Sequence, residues 1–74
     1  IEKEELAKVL GEALELLTEK EQKVITLYYY EELTLKEISN ILEVSESRIS
    51  QLHTRALKKM KVKMGNYMGI LSNN

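Results

Sequence analysis

Seventy-four residues without a cysteine make one domain at most, and a chain this short draws only roughly 3–5 kcal/mol from its core. There is no disulfide, no Cys/His metal cluster, no apolar run near the ~20 residues of a membrane span and no signal-peptide pattern, so a cytoplasmic protein with no cofactor, metal or membrane partner is expected. The net charge of −1 hides an asymmetry: positions 1–46 hold all twelve acids against five lysines, whereas positions 47–74 hold six Lys or Arg and no acid.

In chain order, residues 2–16 carry Leu6, Val9, Leu10, Ala13 and Leu14, with Leu17 beyond, at helical spacing among acids. This predicts an amphipathic first helix, which Gly11 weakens by about 1 kcal/mol relative to Ala. Thr18-Glu19-Lys20-Glu21 is a capping box that opens a second helix over about 19–31. Val24, Leu27 and Tyr28 share one side of it, and Ile25 and Tyr29 the adjoining side. Tyr28 and Tyr29 are expected in the core, leaving Tyr30 exposed for a protein interface.

Thr34-Leu35-Lys36-Glu37 is a second capping box, with Leu33 and Ile38 at the staple positions, and it opens a short third helix over 35–42. Glu43-Val44-Ser45 makes a tight turn, Ser45 caps, and Val44 with Ile49 fit a staple. The fourth helix is predicted over 46–64. Ile49, Leu52, Ala56 and Met60 form its apolar stripe, flanked by His53 and Leu57. Gly65 suits its C-terminus, and cations in the last turns suit the helix dipole. Residues 66–74 are expected to be a poorly ordered tail, leaving 1–65 as the domain. The start at Ile1 rather than Met leads us to expect a piece of a longer protein.

Two short helices joined by a tight turn, with Ser39 small where they approach, have the pattern of a helix-turn-helix. The fold class expected is therefore all-α, with four helices. On the fourth helix, Ser47, Gln51, Thr54 and Lys58 lie opposite the apolar stripe, flanked by Ser50 and Arg55. A Gln amide pairs bidentately with an adenine edge, and Ser or Thr bonds to several bases. Glu46 accepts only from donors such as cytosine N4. The competing reading is that short polar residues outside a helix simply face water.

Arg55, Lys58, Lys59 and Arg48 are candidate phosphate contacts, which position a protein on DNA without carrying sequence information. Lysines at a helix end also serve simply as solvated dipole partners. Two helix starts, at Thr34–Leu35 and at Thr18–Lys20, offer backbone N–H groups to phosphate, and Lys20 reinforces the second. An enzyme is not expected. His53, the one histidine, has no Ser, Asp or Cys constellation beside it and is read as a packing or capping residue.

Residues 17–61, LTEKEQKVITLYYYEELTLKEISNILEVSESRISQLHTRALKKMK, resemble region 4 of bacterial RNA polymerase sigma factors, most of all the motility (flagellar) class. The LTEKEQ opening, the YYYEEL…LKEI join and the ESRISQLHTRALKKM helix carry the likeness. It implies a monomeric four-helix domain that recognises the upstream (minus thirty-five) promoter element. It also implies docking on the flap of the β subunit of core RNA polymerase, and control by an anti-sigma protein. Such domains read DNA from the start of the last helix, which here holds Glu46, Ser47, Arg48, Ser50 and Gln51. Primary sigma factors have an Arg–Glu pair where this chain has Glu46–Ser47, which argues against primary-type specificity. Two other readings compete. One is the DNA-binding domain of a response regulator of the quorum-sensing type, which shares the LTxxE start but would dimerise on inverted repeats. The other is a protein-docking module with little DNA affinity of its own.

Overall fold

The computed structural model describes residues 3–65, which form four α-helices and no strand. They are α1 (Lys3–Glu15), α2 (Glu19–Ile25), α3 (Leu35–Leu42) and α4 (Glu46–Met64). The expected all-α fold with a helix-turn-helix is present, and the tail at 66–74 lies outside the described residues.

The starts of α2, α3 and α4 are set by local chemistry. Thr18 Oγ1 accepts the Glu21 N–H at 3.2 Å, while the Thr18 N–H donates to Glu21 Oε1 at 2.9 Å. Thr34 and Glu37 repeat the arrangement at 3.1 and 2.8 Å. Ser45 Oγ accepts the Arg48 N–H at 3.0 Å. Each bond satisfies a donor that the helix geometry leaves without an intrahelical partner.

The second helix departs from expectation. Instead of an α-helix to Glu31, α2 continues as one π-helical turn, Thr26–Tyr30, in which the Glu31 N–H reaches back to the Thr26 carbonyl at 3.1 Å. Such turns are rare and occur mostly as single turns within or at the end of α-helices. Here the turn carries Tyr28 and Tyr29 against His53 of α4, with ring centroids 4.7 and 5.7 Å away.

The turn between α3 and α4 is made by Glu43, whose φ of 57° and ψ of 42° are left-handed. The Ser39 carbonyl receives the N–H groups of both Glu43 and Val44, which closes the end of α3. A non-glycine residue in this conformation costs about 1–2 kcal/mol. Val44, at the expected staple position, is 37% exposed, and Ile49 packs in one cluster with Val24, Ile38 and Leu52.

Two apolar clusters hold the domain together, and α2 and α4 contribute to both. In one, Ala13, Leu17, Ile25, Ala56, Met60 and Met64 join α1, α2 and the second half of α4. In the other, Val24, Ile38, Ile49 and Leu52 join α2, α3 and the first half of α4. Val24 and Ile25 are consecutive, so the two sides of α2 read from the sequence face different clusters. Each fully buried aliphatic side chain contributes about 1.5–3 kcal/mol, offset by the cost of ordering the chain.

Candidate nucleic-acid interface

The first half of α4 is anchored from below. Ile49, Leu52 and Ala56 are 0–4% exposed, which fixes the rotation of the helix about its axis. The opposite face therefore stands in solvent: Glu46, Ser47, Ser50, Gln51, Thr54, Arg55 and Lys58 are all exposed. At 100° per residue, Ser47, Gln51 and Thr54 form a strip along the exposed side. Arg48 lies half-buried beside it and donates from Nη1 to Gln51 Oε1 at 3.3 Å. The carbonyl oxygen has a second lone pair and the amide group two N–H donors, so Gln51 keeps what an adenine edge requires.

The predicted phosphate contacts divide. Lys20 from the start of α2 and Arg48, Arg55 and Lys59 from α4 line one open groove of about 450 Å³, which Thr18, Leu52, Glu19 and Glu21 complete. That Lys20 shares a groove with Arg48 and Arg55 was not legible from residue spacing, since the two walls lie on different helices. Lys58 is exposed but is not part of that lining. Lys59, expected beside the phosphates, instead places its Nζ 2.8 Å from Glu21 Oε1. The Glu21 side chain is 4% exposed and that of Lys59 42%.

At the start of α3, Thr34 is exposed and Leu35 half-buried. The capping box there uses the N–H groups of Thr34 and Glu37. The donors left at that end for an anion are those of Leu35 and Lys36.

Charge states follow the packing. Burial alone would raise the Glu21 carboxyl, but the Lys59 ammonium and the Thr18 hydrogen bonds outweigh it and hold it below its ordinary 4.5. The Thr34 backbone N–H lowers Glu37 in the same way. Burial pushes His53 down, so its imidazole is neutral near pH 7, and it pushes Tyr29 up. The Tyr29 hydroxyl is 3.0 Å from His53 Nε2. His53 thus packs against both tyrosine rings, which also touch each other, as its place beside the apolar stripe suggested.

Residues 13–62 match the family described as Sigma-70, region 4. The chain belongs to that family. It is 59% identical over 54 residues to the RNA polymerase sigma factor FliA of Salmonella typhimurium, a match covering 73% of this chain and 23% of the relative. It is 54% identical over 61 residues to the RNA polymerase sigma-D factor of Bacillus subtilis, covering 82% of this chain and 24% of the relative. FliA of Pseudomonas aeruginosa is 45% identical over 58 residues, covering 78% and 24%. The chain therefore spans about a quarter of the length of these relatives. No solved structure matches it significantly. These sigma-factor relatives support the motility class named from the sequence and favour it over the response-regulator reading. No helix among the described residues is long and apolar enough to cross a membrane.

Proposed function

We propose that this region 4 domain recognises the upstream promoter element in transcription initiation, as part of a motility-class sigma factor. The observation that carries the reading is the exposed strip of Ser47, Gln51 and Thr54, held outward by the buried Ile49, Leu52 and Ala56 on a helix-turn-helix. Gln51 is the principal reader, with Ser47, Ser50, Thr54 and the flanking Glu46 and Arg48 around it. Lys20, Arg48, Arg55 and Lys58, with the start of α3 at Thr34–Leu35, position the duplex by its phosphates.

The test is binding to motility-type promoter duplex against scrambled duplex at several salt concentrations. Gln51→Ala is expected to cost about 1–3 kcal/mol on the promoter site and much less on scrambled DNA. Arg55→Ala is expected to weaken both alike and to flatten the salt dependence. Equal loss from Gln51→Ala on both duplexes would reduce Gln51 to a spacer or phosphate contact.

The partner surface belongs to the same proposal. Among the described residues, Leu16, Tyr30 and Ile41 are large apolar side chains that the first three helices leave 51%, 84% and 57% exposed. They support docking of the polymerase flap on the N-terminal half of the domain, with an anti-sigma protein competing there. Chemical-shift mapping with a flap-tip peptide tests this. Perturbations confined to α4 would reject it.

A further inference from the structure

The groove between the start of α2 and the flank of α4 gathers four cations, yet one of them is already occupied. Lys59 Nζ lies 2.8 Å from Glu21 Oε1. The same oxygen accepts the Thr18 N–H at 2.9 Å. That second bond belongs to the capping box, so the carboxylate cannot follow the lysine outward without undoing the first turn of α2. Glu21 is only 3% exposed, and the partners are 38 residues apart in the chain. Arg55, by contrast, stands exposed on the same groove, and Lys20 is exposed on its other wall.

A polyanion therefore meets a surface with one cation fewer than the count of lysines and arginines suggests. Sequence-independent affinity for DNA depends on the number of phosphates neutralised, and each contributes about 0.9 to the slope of log affinity against log salt. Stability alone does not require an ion pair here, because well-packed apolar residues of similar volume serve as well or better.

We propose that Glu21 withholds Lys59 from DNA phosphate and so limits the sequence-independent affinity of the domain. Glu21 is in this view a positioning residue that acts on DNA binding through Lys59. The proposal rests on the DNA-binding reading above. It removes Lys59 from the phosphate contacts that the sequence suggested, and it leaves the strip around Gln51 untouched.

The test uses the whole chain and a duplex of random sequence, with affinity followed by NMR titration from roughly 50 to 200 mM salt, the range over which phosphate contacts are most legible. Glu21→Gln keeps an oxygen for the Thr18 N–H but releases the ammonium. Its slope is expected to steepen by about 0.9, with tighter binding at low salt. Adding Lys59→Gln to that variant is expected to restore the original slope. Lys59→Gln alone is expected to leave the slope unchanged, and this arm stands even if Glu21→Gln weakens the fold. A slope flattened by about 0.9 in Lys59→Gln alone overturns the proposal, since the ammonium would already be on a phosphate. A near-zero slope in the unmodified chain would instead remove the DNA reading, and this proposal with it.

Discussion

The two capping boxes are near copies in sequence, Thr-Glu-Lys-Glu and Thr-Leu-Lys-Glu, and near copies in geometry, yet they do different work. At Thr18 the two bonds measure 3.2 and 2.9 Å, and at Thr34 they measure 3.1 and 2.8 Å. Glu37 is exposed and serves only its own helix. Glu21 is buried and also holds Lys59 of α4. The same four-residue motif is in one place a helix start and in the other a joint between two helices. The difference shows that a local motif fixes local hydrogen bonds, whereas what faces it decides its wider role.

The largest effect expected from this contrast is on Glu21. Glu21→Ala removes a cap and leaves Lys59 without its partner, at about 2–3 kcal/mol by the cost of hydrogen bonds to charged groups. Glu37→Ala should be clearly milder. Urea unfolding of the two variants checks this, and equal losses would make the Glu21–Lys59 pair irrelevant to stability. The threonines sharpen the comparison from the other side. Thr18→Ala and Thr34→Ala each lose only the local bond and should cost about the same, ~1 kcal/mol.

Acid supplies a third probe. Both carboxyls are held below their ordinary 4.5 in the folded chain. Their contributions are fully present above about pH 4.5 and are lost as the pH falls through the depressed values. Melting temperatures between roughly pH 7 and 3 should fall less steeply in Glu21→Gln and in Glu37→Gln than in the unmodified chain, because each variant removes one carboxyl held below its ordinary value. An unchanged slope in Glu21→Gln would show that burial there offsets the bonds to Thr18 and Lys59. The smallest expected effect lies at the turn after the second box. Glu43 has a φ of 57°, so Glu43→Gly should gain about 0.5–1 kcal/mol, relief of the left-handed strain being partly cancelled by glycine entropy. A loss in chemical denaturation would show that the Glu43 side chain makes a contact that matters more than the strain.

Much of the fold was legible without coordinates. Capping boxes, the Ser45 cap and the apolar stripes at helical spacing are local signals, and they placed four helices and the face of each. The assignment of Val24, Leu27 and Tyr28 to one side of α2, and of Ile25 and Tyr29 to the other, reappears as membership of two separate clusters. The exposed strip on α4 follows from the same arithmetic. The π turn shows where the reading fails: helical spacing runs on through Thr26–Tyr30, and only the packing of Tyr28 and Tyr29 against His53 accompanies the change of geometry.

The sequence by itself determined the helices, their starts, the strip around Gln51 and membership of the sigma-70 region 4 family, because these depend on residues within a turn or two of one another or on the pattern of the whole. Only the tertiary structure decided the π turn at Thr26–Tyr30, the pairing of Lys59 with Glu21 and the groove that joins Lys20 to Arg48 and Arg55. Tyr29 meets His53 across 24 residues, and Glu21 meets Lys59 across 38. Contacts at such separations form only once α2 and α4 have packed. The free energy that selects them therefore comes from that packing, and no short stretch of the chain records it.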